Sequence, residues 1–160
     1  YLIEAFNQLN LKNAELWISG INDEEQIKKI VKINDKIIFK KRLAHEHDLP
    51  GLYNQADIFC LPSFEEGLPN VVCQAMSCGL PIISTEFVSD IVSDNIEGFI
   101  IQPGKSKELA EKIKFFYDNP QKTFEMGMNS RNKAENLLSY DKIAERILNF
   151  CKNEDNPNKI

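Results

Sequence analysis

The sequence predicts an α/β domain built on a parallel sheet. Short apolar segments of strand length alternate along the chain with longer segments of helical periodicity, which is the pattern of parallel strands joined by helices. The chain has 160 residues, of which 42% are hydrophobic, enough for one domain with a sizeable core. The segments of strand length are 14–19, 36–39, 57–61, 82–84 and 98–101.

The overall composition argues against several classes of protein. A formal net charge of −5 disfavours a nucleic-acid-binding role, which usually requires a basic surface. The sequence contains neither a secretory signal nor an apolar run long enough to span a membrane. The cysteines form no C-x-x-C pair, so we expect small buried thiols in a reducing compartment. They are Cys60, Cys73, Cys78 and Cys151.

The first part of the chain predicts two helices around one strand. Apolar residues at helical spacing fill residues 1–9, and a strand is expected over 14–19, where Trp17 is assigned to the core. Asn22 and Asp23 are favourable N-cap residues, so a second helix should begin there. Its predicted inner face consists of Ile27, Ile30 and Val31.

A basic cluster and a histidine-rich segment follow the second predicted strand. The cluster 40–43 comes directly after that strand and reads as a solvated loop. The segment 45–48 has the sequence His-Glu-His-Asp, but alternate side chains share one side only on a strand, and this segment lies between a strand and a helix. We therefore expect no metal site there, and a short helix over 49–56.

The middle of the chain predicts a strand, a tight turn and a helix. Residues 57–61 form a short apolar run, as expected of a buried parallel strand. Glu66 and Gly67 break that pattern, and Pro69 suits the first position of a helix, where its missing N–H group is not needed. Gly79 fits the position just past the helix end. The predicted inner face of this helix consists of Val71, Val72, Ala75 and Met76.

This helix should point its N-terminus out of the carboxyl end of the preceding strand. Free backbone N–H groups and the helix dipole make that position in an open α/β sheet a site for phosphate. Glu66 precedes the helix, and Asn70 and Gln74 share one of its faces, where they can hydrogen-bond hydroxyl groups. The residues themselves therefore predict a phosphorylated, polyhydroxylated ligand. The alternative is a solvated turn followed by an ordinary packing helix.

The fourth predicted strand is followed by a loop, a short strand and a helix. Residues 87–90 form the loop, in which we assign Asp90 to capping a helix rather than to a ligand. The strand 98–101 comes next, and Ser106 is the expected cap of a long helix. The residues expected on the inner face of that helix are Leu109, Ala110, Ile113 and Phe116.

Two further helices and a polar tail complete the prediction. Pro120 should begin one helix and Asp141 the last one. Residues 153–160 are polar and contain a proline, so a disordered tail is expected there and the domain itself is assigned to residues 1–152. The candidates for burial on the first of these helices and just beyond it are Phe124, Met128 and Leu137.

The segment 62–81 contains a set of closely spaced motifs: Pro62-Ser63, Glu66-Gly67, Leu68-Pro69-Asn70, Ala75-Met76 and Cys78-Gly79-Leu80-Pro81. This set resembles the signature of a known enzyme family, the retaining glycosyltransferases of family 4, or group 1 transferases, which have the two-domain GT-B fold. The resemblance implies that this chain is the C-terminal, nucleotide-sugar-binding domain. Its fold would be a Rossmann-like doubly wound parallel sheet lacking the first strand, which precedes the first helix in the family.

The family pattern also implies roles for individual residues. It has two glutamates at an E-x7-E spacing. Glu66 matches the first, which contacts the donor sugar and is the implied catalytic residue, while Gln74 stands at the second, which usually holds the ribose hydroxyls. A neutral amide is a poorer acceptor than a carboxylate, so the ribose contact is weakened without being removed. The loop with Arg42 and Leu43 is implied to lie against the base and phosphate. The residues implied to bind the donor sugar and phosphate are Gly67, Leu68, Pro69 and Asn70.

The activity that the resemblance implies is transfer of a sugar from a nucleotide-diphosphate sugar to an acceptor hydroxyl, with retention of anomeric configuration. The parent enzyme would be a hexosyltransferase of polysaccharide or glycoconjugate biosynthesis that uses no metal or other cofactor. It would work in the cytoplasm, with peripheral contact at the inner face of the membrane as an option. Its partners would be the nucleotide sugar and an N-terminal acceptor domain that this chain lacks, through which any membrane association would run. Without that domain, the fragment is expected to be inactive.

Two other functions fit the same residues. One is a GT-B-fold sugar-nucleotide epimerase, although the leucine-proline-asparagine sequence at 68–70 argues against it. The other is a non-catalytic nucleotide-binding or scaffold domain, and Gln74 in place of a glutamate is the reason to consider it.

Overall fold

A computed structural model describes residues 1–20, 23–40, 48–67, 69–88 and 90–154 of the chain. All five predicted strands are present, with ends within two residues of those expected. A 3-10 turn, Glu86–Val88, follows the fourth strand, and a π-helical turn, Ala134–Leu138, follows the sixth helix. The elements in chain order are α1 (Leu2–Leu9), β1 (Leu16–Ser19), α2 (Glu24–Ile30), β2 (Ile37–Lys40), α3 (Leu49–Tyr53), β3 (Phe59–Leu61), α4 (Asn70–Ser77), β4 (Ile82–Thr85), β5 (Gly98–Ile101), α5 (Ser106–Asp118), α6 (Pro120–Lys133) and α7 (Tyr140–Glu154).

The strands are parallel and form two sheets in the described part of the chain. β1 pairs with β2, and β4 lies between β3 and β5 in a sheet of three strands. Parallel pairing with a helix in nearly every connection confirms the predicted α/β class. A doubly wound sheet with a further strand between β1 and β3 would contain the same pairs, so the observed pairing is compatible with the predicted Rossmann-like strand order.

β1 and β3 each have one edge that no described strand covers. The Phe59 N–H group donates to the Pro81 carbonyl at 3.0 Å, toward β4, and the Leu16 N–H group donates to the Lys36 carbonyl at 2.8 Å, toward β2. Successive residues of a parallel strand direct their backbone groups to opposite sides. The amides of Cys60 and Trp17 therefore face away from β4 and β2 respectively. These two edges are where an additional strand would pair.

Apolar side chains cover both faces of the three-stranded sheet. On one face, Ile83, Phe99 and Ile101 pack with buried residues of α1 and α5. On the other face, Ile82 packs with buried residues of α4. Strand residues that alternate between two cores are expected when helices lie on both faces of a parallel sheet. The described residues with fully buried large side chains include Met76, Ile82, Ile83, Ile101 and Leu109.

The three predicted caps had different outcomes. Asp23 caps α2 as expected, since its Oδ1 atom accepts a hydrogen bond from the Gln26 N–H group at 2.9 Å. Ser106 was wrong as a cap, because it is already the first helical residue of α5 and Lys105 holds the cap position. Asp90 was also wrong as a cap, because it lies in an exposed turn and no helix of the described ranges begins there.

Several side chains that were predicted to be buried are exposed. Ile30 is 77% exposed because it is the last residue of α2, and only Ile27 and Val31, four residues apart, reach the core. On α6 the buried positions are Met126 and Ser130, also four apart, together with Gly127. Because these positions face the core, other apolar side chains of α6 and of the turn after it face solvent. Three of them were wrongly predicted to be buried: Phe124 (72% exposed), Met128 (43%) and Leu137 (45%).

The C-terminal helix α7 reaches Glu154, two residues into the segment expected to be a tail, and residues 155–160 lie outside the described ranges. Its exposed apolar side chains include Ile147, Leu148 and Phe150. None of the helices that the structure describes has the length and apolar character needed to cross a bilayer.

Candidate functional site

The candidate site lies where β3 ends and α4 begins. Pro69 was predicted as the first residue of this helix, and the structure corrects that by one position: Pro69 is the N-cap and Asn70 is the first helical residue. The physical reason is the ψ angle of Pro69, which at 93° is extended. The proline is buried and fixes the direction in which the chain enters the helix.

No side chain of α4 itself neutralises the positive end of the helix dipole at its N-terminus. No side-chain cap is formed at this end, and its first turn contains no acidic residue. The Val72 N–H group donates to the Pro69 carbonyl at 2.9 Å, which leaves the N–H groups of Asn70 and Val71 directed outward from the end of the helix. Outward-directed N–H groups and the positive end of the dipole together favour an anionic ligand.

The loop before the helix is held on two sides. The hydroxyl of the buried Thr85 on β4 donates to the Ser63 carbonyl at 2.8 Å. On the other side the Tyr1 phenol donates to the Pro62 carbonyl, and its ring meets the Phe64 ring edge-on at 5.6 Å between centroids. These contacts fix the backbone shortly before the predicted ligand residues.

Glu66 is half-buried in this loop and has no hydrogen bond or ion pair with another described residue. Gly67 beside it is exposed, and so is Asn70 at the start of α4. A half-buried carboxylate next to an open helix N-terminus can accept hydrogen bonds from the hydroxyl groups of a ligand. Glu66, Gly67 and Asn70 thus lie in the loop before α4 and at its open N-terminus, and their roles toward a ligand stay predictions.

Gln74 lies one turn further along α4 and has a partner that the sequence did not assign to it. The Tyr53 phenol, at the end of α3, donates to Gln74 Oε1 at 3.3 Å and lies 3.5 Å from the Val71 carbonyl oxygen. Sequence reasoning named Tyr53 only as a packing residue of α3. A buried tyrosine hydroxyl usually finds a hydrogen-bond partner, but nothing in the sequence says which one.

The inner face of α4 was predicted correctly except at one position. Val72, Ala75 and Met76 have no exposed surface, whereas Val71 is 40% exposed. Val71 is three residues before Gln74 and therefore lies beside it on the helix surface. Its exposure leaves an apolar side chain next to the polar residues that were predicted to contact a ligand.

The C-terminal end of α4 is closed as expected at Gly79. This residue has a φ of 77°, its N–H group donates to the Met76 carbonyl, and the Leu80 N–H group donates to the Ala75 carbonyl. This pair of hydrogen bonds is the Schellman arrangement, in which glycine takes the left-handed conformation at low cost. The Arg131 guanidinium of α6 also donates to the Ser77 carbonyl. α4 is therefore anchored at its C-terminal end and open at its N-terminal end.

Some predicted site residues cannot be placed. Arg42, Leu43 and Leu68 lie outside the described residues, as do His45 to His47 of the histidine-rich segment. Their assignments stay predictions. Within the described ranges, no group of three or more His, Cys, Asp or Glu side chains is arranged to hold a metal ion.

Comparison with known proteins agrees with this architecture. The family described as Glycosyl transferases group 1 matches residues 1–119. An uncharacterized glycosyltransferase of Haemophilus influenzae is 31% identical over 157 residues, which are 92% of this chain and 42% of that protein. The chain thus spans less than half the length of this relative.

Solved structures share the fold at low sequence identity. The C-terminal domain of the group 1 glycosyl transferase LpcC from Francisella tularensis has a TM-score of 0.78 at 19% identity, covering 86% of this chain and 77% of that one. Anabaena HepE in complex with UDP has a TM-score of 0.82 at 23% identity, covering 95% of this chain and 44% of that one. The Rossmann-like architecture is that of the C-terminal half of a GT-B fold. Because the family matches residues 1–119, which are most of this chain, the chain belongs to the group 1 glycosyl transferases.

Proposed function

We propose that the chain is the donor-binding domain of a glycosyltransferase that moves a sugar from a nucleotide-diphosphate sugar to an acceptor hydroxyl with retention of configuration. The observation that carries the proposal is the open N-terminus of α4, with Glu66 in the loop before it, whose carboxylate bonds to no other residue in the part of the chain that the structure describes. Family membership and the UDP bound to the structurally similar HepE support it.

The chemistry assigned to this site is mainly electrostatic. When the bond between sugar and diphosphate breaks, negative charge develops on the departing phosphate. The N–H groups of Asn70 and Val71 and the dipole of α4 are fixed in place to stabilise that charge. Glu66 would accept hydrogen bonds from sugar hydroxyls and hold the anomeric carbon in position for transfer. Gly67, with no side chain, leaves room for the ligand beside the loop backbone.

The finer parts of the proposal concern the whole enzyme. We assign it to family 4, to a hexose donor and to polysaccharide or glycoconjugate biosynthesis on the cytoplasmic side. No metal or other cofactor is required, because backbone N–H groups take the place of a cation at the diphosphate. Arg42 and Leu43 would contact the base or phosphate and Gln74 the ribose. The acceptor would bind to an N-terminal domain, so residues 1–152 alone should show negligible transfer.

A thermal-shift screen of nucleotide sugars on the protein in its full natural length tests the proposal. A ligand that binds only the folded state raises the melting temperature, so the true donor and its nucleoside diphosphate should both stabilise the protein. The free sugar, which lacks the diphosphate, serves as the control and should have no effect. Absence of stabilisation by every UDP, GDP and ADP sugar would contradict donor binding.

A second candidate, a nucleotide-binding domain without transferase activity, is favoured by one residue. Gln74 stands where the family pattern has a carboxylate, and a neutral amide holds ribose hydroxyls less strongly. The two candidates differ in turnover and not in binding. Product formation from the stabilising nucleotide sugar and a lipid or saccharide acceptor would exclude the second candidate, whereas binding without hydrolysis or transfer would favour it.

A further inference from the structure

The contact between Tyr53 and Gln74 joins α3 to the site helix α4. Tyr53 is 8% exposed, and its ring packs edge-on against Phe59 of β3 at 5.8 Å between centroids. Burial raises the pKa of its phenol above the ordinary value of 10.0, so the hydroxyl keeps its proton at neutral pH. The ring therefore holds a hydrogen-bond donor in a fixed place beside α4.

That donor faces two oxygen atoms of α4. One is Gln74 Oε1 at 3.3 Å and the other is the Val71 carbonyl oxygen at 3.5 Å, both at the long end of the range for hydrogen bonds. When the Gln74 oxygen is turned toward Tyr53, the amide nitrogen on the opposite side of the same planar group is directed away from it. Gln74 is half-buried, so its NH2 group can reach a ligand.

We infer that Tyr53 is a positioning residue for ribose recognition, which holds the Gln74 amide so that its NH2 group donates to a ribose hydroxyl of the nucleotide. This inference rests on the proposed function and deepens it. A carboxylate at this position could only accept hydrogen bonds, whereas the fixed amide of Gln74 presents a donor. Gln74 thus donates a hydrogen bond to the ribose at the position where the glutamate of the family pattern accepts one.

The test compares ribonucleotides with their deoxy counterparts. The dissociation constants of UDP, GDP and ADP, and of their 2′-deoxy and 3′-deoxy forms, are measured by calorimetry on the full-length protein and its variants. The quantity of interest is the hydroxyl ratio, the dissociation constant of a deoxy form divided by that of its parent. One neutral hydrogen bond predicts a hydroxyl ratio of about 3 to 10 in the wild type for the hydroxyl contacted by Gln74.

Tyr53→Phe removes only the phenol oxygen and should bring the hydroxyl ratio close to one, as should Gln74→Ala. Phe59→Leu is the matched control, because it disturbs the packing of the same ring and lowers the melting temperature without touching the hydroxyl. Its hydroxyl ratio should equal that of the wild type. A ratio that falls in Tyr53→Phe and Gln74→Ala and is kept in Phe59→Leu supports the inference.

Three other results overturn the inference, and they are distinguishable from failure of the proposed function. Binding of UDP, GDP or ADP with a wild-type ratio of one, or with a ratio that Tyr53→Phe leaves unchanged, leaves donor binding intact and removes the role of Tyr53. An equal fall in Phe59→Leu shows that only packing matters. If the wild type binds none of the three nucleoside diphosphates, donor binding itself fails and the inference fails with it.

Discussion

Of the residues in the proposed site, Glu66 is expected to have the largest effect on the rate of sugar transfer. Its carboxylate is half-buried, and Glu65 immediately before it is exposed, so the two neighbours form a matched pair of the same residue type. Glu66→Gln keeps the shape and removes the charge, and we expect the turnover number for sugar transfer to fall at least about 100-fold, as when a charge-stabilising group is lost. Steady-state kinetics on the full-length protein provide the measurement.

Glu65→Gln is the control for that experiment and should leave turnover within about twofold of the wild type, because exposed substitutions away from the site have small effects. Similar losses in the two variants would show that Glu66 has no special role, and so would full activity in Glu66→Gln.

Cys60 gives a prediction about the pH dependence of stability. Burial raises the pKa of its thiol from 9.0 to about 12 in the folded state. Below pH 9.0, the pKa of the thiol in the unfolded state, the thiol keeps its proton in both the folded and the unfolded protein, so it makes the free energy of unfolding no more dependent on pH there. As pH rises above 9.0, the unfolded state releases the proton first. The free energy of unfolding should therefore fall between those two values.

Urea unfolding of the wild type and of Cys60→Ala, at about pH 8 and about pH 10, measures this effect. Between these two pH values the free energy of unfolding should fall more in the wild type than in Cys60→Ala. Cys151 is exposed, so Cys151→Ala should keep the wild-type dependence on pH and serves as the control. An equal alkaline loss of stability in wild type and Cys60→Ala would contradict burial of the thiol.

At the scale of elements, the close approach of α6 to the end of α4 is the contact that fixes the site helix. A Cβ atom on Gly127 would lie 2.2 Å from the Gly79 carbonyl oxygen, and such a contact forces backbone to move. We expect Gly127→Ala to lower the free energy of unfolding by about 1–3 kcal/mol, the usual cost of overpacking. The shift should also weaken nucleotide binding, because it displaces the anchored end of α4.

Gly51→Ala provides the comparison. Gly51 is also helical, in α3, and a Cβ there would meet nothing within 4 Å. This change should be neutral or stabilising by up to about 1 kcal/mol, since alanine restricts the unfolded chain and favours helix. Chemical denaturation measures both variants, and equal effects of the two substitutions would show that the α4–α6 contact is looser than described.

The sequence predicted the elements well where local chemistry determines them. Asp23 caps α2, Gly79 ends α4, and the inward face of α5 was correct at every residue. Local chemistry misplaced the starts of α4 and α5 by one residue each, and on α6 the predictions failed where a contact with a distant element decides which face is buried. Phe124 looked like a core residue of α6, but the approach of Gly127 to Gly79 selects the row of Met126 and Ser130 instead. Local periodicity contains no information about that contact.

The candidate site shows the same division. Glu66, Asn70 and Gln74 were proposed as ligand residues from their spacing around a predicted helix N-terminus; the structure contains that helix, and the roles of the three residues stay predictions. Tyr53 was not assigned to the site, since its pairing with Gln74 depends on how α3 packs beside α4. Residues that reach the site from another element become visible only in the folded structure.

For the whole molecule, the edges of β1 and β3 that no described strand covers give a prediction about backbone hydrogen exchange. Trp17 and Cys60 direct their amides to these edges, whereas Leu16 and Phe59 are hydrogen-bonded within the sheets. In the chain of 160 residues, the first pair should exchange amide hydrogen faster than the second, by at least about tenfold.

Hydrogen exchange measured by NMR tests this directly, with Leu16 and Phe59 as internal references. In a longer form of the protein that supplies the expected first strand, exchange at Trp17 and Cys60 should slow to the rate of those references. Slow exchange at Trp17 and Cys60 in the chain of 160 residues would show that the edges are already covered.

The most direct measurement is a crystal structure of the full-length protein with the nucleotide-diphosphate sugar that stabilises it best. The account predicts diphosphate oxygens about 2.7–3.2 Å from the backbone nitrogens of Asn70 and Val71, with a sugar hydroxyl at the same distance from the Glu66 carboxylate. A diphosphate bound away from the N-terminus of α4, or a sugar that does not contact Glu66, would contradict it.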